Sequence, residues 1–169
     1  MIAPPALHRT LNAIELERFA ATLAERRDRW QEMLDALGAR ERAFIEIWSD
    51  AFVNAWAIRW TTGADTGFHD HDLAAAGITV VDGSIVEERL TLSGSPIARQ
   101  FEPGRTFSVP PSAIHRVRHV GGPIALTIHV YSPPLRVQGV YTTSHDGALE
   151  RRAVAYTEEL RNELVLRAA

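Results

Sequence analysis

GADTGFHDHDLAAAGITVVDG, residues 63–83, decides how the chain is read: it sets two histidines two positions apart in a β-type stretch bounded by turn glycines. In an extended strand, residues i and i+2 face the same side. His69 and His71 can therefore aim at one point while Asp70 points away. A second stretch, GRTFSVPPSAIH at residues 104–115, ends on a third histidine, His115, after Gly104 and Pro110. Five residues separate Gly63 from His69, and five separate Gly104 from Pro110. Imidazole is a ligand type that suits Fe(II), Zn(II) or Cu(II) and by itself does not choose among these.

Outward from these stretches, residues after Asp50 alternate β-branched and aromatic side chains with polar ones, as in AFVNAWAIRW, GITVVDGSIVEERLTL, HRVRHV and IALTIHVYSPP. Turn sequences at Val81-Asp82-Gly83-Ser84, Ser93-Gly94-Ser95-Pro96, Glu102-Pro103-Gly104 and Gly121-Gly122-Pro123 break the run into short strands. Many short strands imply an all-β barrel or sandwich. Upstream, Leu16, Phe19, Ala20, Leu23, Trp30, Leu34 and Leu37 recur at three- and four-residue steps, which predicts one amphipathic helix or two shorter ones. Asn12 is a candidate N-cap and Gly38 a stop. The charged run Glu25 to Arg29 reads as a solvated face. The apolar stretch Phe44, Ile45, Ile47, Trp48 reads as helix or loop. Leu160, Leu164 and Val165 sit at helical spacing. The expected organisation is one mainly β domain over 1–169: a helical N-terminal extension at 1–48, a β-barrel core at 50–142 and a C-terminal helix at 155–168.

The glycine, histidine and proline offsets resemble the two motifs of the cupin superfamily, which implies a jelly-roll-type β-barrel with His69, His71 and His115 as metal ligands. One departure is informative. The superfamily places a Glu ligand with three or four residues between it and the second histidine, where this chain has Ala75 or Ala76. A second resemblance, from about Trp60 to Pro134, is to the thiol dioxygenases, the family of cysteine dioxygenase and 3-mercaptopropionate dioxygenase. It rests on Trp60, His69-Asp70-His71 without the Glu, His115-Arg116-Val117, and Thr127-Ile128-His129-Val130-Tyr131-Ser132-Pro133-Pro134. It implies a mononuclear Fe(II) centre, a small thiol of the cysteine or 3-mercaptopropionate type and O2 as substrates, and a sulfinate product. Thr127, His129 and Tyr131 alternate and share one strand face. By the resemblance they form a hydroxyl, imidazole and phenol relay beside the metal, with Thr127 in place of the family Ser. Some members link a Cys to this Tyr. Here Ala76 stands at the counted position and the chain has no cysteine. Cysteine dioxygenases hold the substrate carboxylate with an Arg upstream of the Trp strand. An ungapped count from Trp60 lands on Ala43, which Arg40 and Arg42 reach with a shift; alignment through AFVNAWAIRW puts Glu46 near that place, and Arg136 after the Ser-Pro-Pro turn is a candidate for a differently placed carboxylate.

Composition bounds the alternatives. Eighteen Lys and Arg against 21 Asp and Glu leave a net charge of -3 and no basic surplus for a nucleic-acid backbone. Without cysteine, any metal must be held by nitrogen or oxygen. No apolar run approaches a membrane span and MIAPPALHRT lacks a signal pattern, so a cytoplasmic protein with no membrane partner is the default expectation. The sequence carries no signal for an oligomeric state. His8, His119 and His145 read as surface or supporting groups, and the four tryptophans as core aromatics, Trp60 being the candidate exception. Two other readings stay open: an iron cupin that oxygenates a non-thiol substrate, and a non-catalytic cupin that binds metal or ligand.

Overall fold

The computed structural model describes residues 9–38, 42–92, 95–145 and 148–156. Two helices open the chain: α1 (Ala13–Glu25) and, after a 3-10 turn at Arg27–Arg29, α2 (Gln31–Asp35). Asn12 caps α1 as its side chain predicts. Its Oδ1 accepts from the Glu15 N–H, and the Glu15 carboxylate accepts from the Asn12 N–H, so two otherwise orphaned donors are satisfied.

Eleven strands follow among the described residues: β1 (Arg42–Ser49), β2 (Asn54–Trp60), β3 (His69–Asp70), β4 (Ala75–Asp82), β5 (Ile85–Arg89), β6 (Ile97–Phe101), β7 (Thr106–Val109), β8 (His115–Arg118), β9 (Ala125–Ser132), β10 (Val137–Thr143) and β11 (Leu149–Ala155). They form two antiparallel sheets, ordered β1-β2-β9-β4-β7 and β11-β10-β3-β8-β5-β6. The jelly-roll expectation holds, as two hydrogen-bonded sheets rather than one closed ladder. Gly83 makes the tight β4–β5 turn at φ +63, a left-handed conformation open to a residue without Cβ.

Between the sheets lies one core, with Trp56, Ile58, Trp60, Ile78, Val80 and Ile85 among its members. A second core lies behind the five-stranded sheet, where Leu16, Ala20, Trp30 and Leu34 cover Ala55, Ala57, Leu126, Ile128 and Val130. The helices thus cover the outer face of the five-stranded sheet. Strand β9 is consequently buried along its whole length, with Ile128 and Val130 towards the helices and Thr127, His129 and Tyr131 towards the interior. Gly77 of β4 lets α1 come this close: a Cβ there would stand 2.5 Å from the backbone carbonyl carbon of Leu16.

Two boundaries differ from the expectation. Residues 42–49, read as helix or loop within a helical extension, are strand β1. A bulge between Glu46 and Trp48 puts Ile47 and Trp48 on the same helix-facing core as Ile45, while Phe44 faces the inner core. The bulge erases the period-two signal. The sheet also runs past residue 142, through β11 to Ala155, and Tyr156 is the first helical residue, one beyond the expected start at 155. The rest of that segment, 157–168, lies outside the described residues, as do His8 and Arg40. No helix among the described residues is long and apolar enough to cross a membrane.

Candidate metal centre

Strand β3 is two residues long, and its ladder sets His69 directly opposite His115 of β8. His71 follows on the same side as His69. The chain then turns at Asp72, whose φ of +54 is a left-handed conformation that Asp tolerates. Asp72 N–H donates to Asp70 Oδ1 across this turn. All three histidines are buried. The Nε2 atoms of His69 and His71 are 3.2 Å apart, and those of His71 and His115 are 3.1 Å apart.

These separations can be tested against a metal. Nitrogens bound at about 2.1 Å and subtending roughly 90–110° would lie about 3.0–3.4 Å apart, which brackets both distances. The outer nitrogens agree. His69 Nδ1 faces the Gly67 carbonyl at 3.1 Å and His115 Nδ1 faces the Glu87 carboxylate at 3.2 Å. Each acceptor assigns the proton to Nδ1 and leaves the Nε2 lone pair aimed inward. Burial lowers His69 to about 4, with the Gly67 carbonyl offsetting part of the shift and the Arg42 charge adding to it. Burial and the neighbouring histidines hold His71 and His115 well below the usual imidazole range. Three uncharged donors converging in a buried pocket can hold a metal ion.

Asp70 points away from this cluster, as its strand parity requires, and ties β3 to β10 and β11. Arg151 donates to it twice, at 2.7 and 2.9 Å, Tyr141 donates its hydroxyl at 2.6 Å, and the Gly139 N–H is at 3.2 Å. Burial pushes the Asp70 carboxyl up, but the hydrogen bonds from Arg151 and Tyr141 outweigh it and hold the group well below the carboxylate range. Gly139 leaves the space: a Cβ there would collide with the Arg151 guanidinium and the Asp70 carboxylate.

The alternation read for β9 is present as a hydrogen-bonded chain. His129 Nε2 lies 2.9 Å from Thr127 Oγ1, and His129 Nδ1 lies 3.2 Å from the Tyr131 hydroxyl. Trp60 extends it by donating its indole N–H to Thr127 Oγ1 at 2.8 Å. Trp60 is thus a core aromatic with a polar task. Burial lowers His129 to about 3, with His69 and Arg42 adding to the shift, so the relay is neutral. The Tyr131 ring stands edge-on to His71, with centroids 5.0 Å apart. Ala76 sits opposite Tyr131 in the β4–β9 ladder.

A cavity of about 40 Å³ meets the three ligand-type histidines, His129, Tyr131 and Arg42. That is room for a ligand of few heavy atoms, since about 10–15 Å³ of such space holds one water. Of the candidate arginines among the described residues, Arg42 lines this cavity. It is 8% exposed, opposite Trp60 in the β1–β2 ladder, with its guanidinium carbon 5.6 Å from the indole centroid. Arg136 and Glu46 are exposed and do not line the cavity.

The sequence reading missed Glu87, which is 1% exposed beside His115. Burial raises its carboxyl, against the lowering hydrogen bond from Arg89. Its signal was present in the alternation of β5, where Glu87 shares the inward face with buried Ile85. His119 is buried rather than on the surface, with Nδ1 2.9 Å from the Ser84 carbonyl, and it pins the end of β8 to the β4–β5 turn. His145 is in an exposed turn.

Together these features define a cupin-type jelly roll with a buried three-histidine cluster at its centre. No protein-family model matches the chain, and no curated protein matches it by sequence. Solved structures match it by fold. TT1209 from Thermus thermophilus is 19% identical over 62% of this chain and 94% of its own, with a TM-score of 0.51. BH2720 from Bacillus halodurans is 15% identical over 70% and 84%, at a TM-score of 0.51. The Schizosaccharomyces pombe Cnp3 cupin domain is 11% identical over 59% and 66%, again at 0.51. The chain spans about half (51%) of the oxalate oxidase chains it also matches. At these identities the likeness concerns the cupin fold.

Proposed function

We propose that the chain is a non-heme Fe(II) thiol dioxygenase that adds both atoms of O2 to the sulfur of a small carboxylated thiol, giving a sulfinate. The observation that carries this reading is the Tyr131 hydroxyl, linked to His129 and Thr127, with its ring edge-on to His71 in a cavity that Arg42 also lines. The sequence resemblance to the thiol dioxygenases, carried in part by the same residues, supports it.

His69, His71 and His115 would hold the iron, which when bound supplies the one-electron chemistry that lets dioxygen react with a closed-shell thiolate. Because Ala75 and Ala76 stand where a ligand carboxylate would be, the chain sets no anion directly on the ion, which favours an anionic sulfur there. Arg42 anchors the substrate carboxylate, held in place by the β1–β2 ladder and by the Trp60 face. Tyr131 offers its O–H to the sulfur or to the oxygen being transferred. His129 fixes the direction of that hydroxyl, and Thr127 and Trp60 fix His129. The balance is simple: a thiolate and O2 become a sulfinate with no other oxidant or leaving group.

Oxygen uptake by iron-loaded protein tests the proposal, with cysteine, 3-mercaptopropionate, cysteamine and mercaptosuccinate offered in turn. Uptake with a carboxylated thiol and a product 32 mass units heavier is expected. Iron-loaded protein that consumes no oxygen with any of them sinks the proposal.

A further inference from the structure

The three imidazoles are not equivalent at their outer nitrogens. His69 Nδ1 has a backbone carbonyl, His71 Nδ1 has no hydrogen-bond partner, and His115 Nδ1 alone faces a carboxylate, Glu87 Oε1 at 3.2 Å. Glu87 and His115 are each 1% exposed. Arg89 donates its Nε–H to the same Oε1 at 2.7 Å and an Nη2–H to the Ser108 carbonyl at 2.7 Å, bracing the carboxylate between β5 and β7. Glu87 Oε2 is buried without a partner. A carboxylate taken out of water with half its acceptor capacity unused is costly unless positive charge stands nearby.

Strand register explains the approach. Arg89 pairs with His115 and Glu87 with Val117 in the β5–β8 ladder, so Glu87 is the diagonal inward neighbour of His115. The position that lost its carboxylate, at Ala75 or Ala76, is on a different strand, β4.

We infer that Glu87 is the anionic positioning residue of the metal centre: it holds the His115 proton on Nδ1, strengthens His115 as a donor, and supplies through that imidazole the negative charge that no ligand supplies directly. A carboxylate behind a histidine ligand fixes its tautomer and raises its basicity, and its loss weakens metal binding about 10- to 100-fold. The inference rests on the metal centre of the proposed function but not on its sulfur chemistry.

The experiment measures Zn(II) affinity of metal-free protein by competition with a chromophoric chelator. Wild type is compared with Glu87→Gln, Glu87→Met and, as a control, Glu88→Gln, whose side chain instead pairs with Arg118. Both Glu87 variants should bind about 10- to 100-fold more weakly while their metal-free melting temperatures hold or rise. In the Zn(II)-loaded protein, the downfield Nδ1–H resonance of His115 should move upfield in Glu87→Gln. Unchanged affinity in both Glu87 variants overturns the inference, as does a loss matched by Glu88→Gln or an affinity loss that only tracks lowered melting temperature. A wild type that binds Zn(II) without thiol-dependent oxygen uptake overturns the proposed function and leaves this role standing.

Discussion

His69 and His115 face each other across the β3–β8 ladder with ring centroids 4.5 Å apart, so the ladder pair that joins these two strands is also the centre of the site. Removing His115 should therefore abolish the metal site, whereas removing a hydroxyl from Tyr131 should not. We expect His115→Ala to retain less than about one-tenth of the wild-type iron, consistent with loss of one of three ligands. Tyr131→Phe should keep its iron and slow thiol-dependent oxygen uptake about 100-fold, the scale of a positioned proton donor. Metal analysis and oxygen uptake on both variants check this, and equal behaviour would contradict the separate roles.

Arg42 should set selectivity for the carboxylate. A charged hydrogen bond of about 2 kcal/mol corresponds to a rise in KM of about 30-fold for 3-mercaptopropionate or cysteine in Arg42→Gln. Any turnover of cysteamine, which has no carboxylate, should change little. Steady-state kinetics with the three thiols decide it.

The Asp70–Arg151 pair should stabilise the ligand strand at neutral pH and fail in acid. Asp70 has a folded pKa below its unfolded value of about 3.9. Its contribution is thus present above pH ~4 and is lost as pH falls towards the folded value. Arg151 is 37% exposed, so solvent screens part of the interaction, and Arg151→Ala should cost about 1–2 kcal/mol. Urea unfolding at pH 7 and pH 3 should show the variant deficit shrinking at the lower pH.

Metal-free protein should also lose stability between about pH 6.5 and 4. His69 is lowered to about 4 and His129 to about 3, and His71 and His115 are lowered as well. All four stay neutral in the folded state while the unfolded chain takes up protons below its ordinary histidine pKa, so stability falls as pH falls. Each fully linked histidine contributes about 1.4 kcal/mol per pH unit. Denaturant melts at pH 7.5, 6 and 5 measure the slope, and a flat profile would refute the buried neutral assignment.

Gly77→Ala tests the helix packing apart from the site. The added methyl meets the Leu16 backbone, which cannot move as a side chain tip can, so a loss of about 1–3 kcal/mol is expected. Iron content should be unaffected when measured well below the melting temperature.

Much of the fold was legible because burial imposes local periods. The seam of α1 and the parity of β9 follow from steps of three to four and of two. β1 was not legible, since its bulge sets Ile47 and Trp48 on one side and breaks the pattern by which a strand is recognised. His119 was left open between a surface and a supporting place, because a histidine near a strand end carries no mark of the carbonyl that will cover it.

The amino-acid sequence alone set His69 beside His71 and put Thr127, His129 and Tyr131 on one face, because each depends on spacing within one strand; the jelly-roll class and His115 as third ligand followed from the resemblance to the cupin motifs. Only the tertiary structure decided that Arg42 reaches the cavity, that Glu87 stands behind His115 and that Arg151 clasps Asp70. Those contacts depend on register between strands distant in the chain, and register is set by the whole packed sheet rather than by any one segment of it.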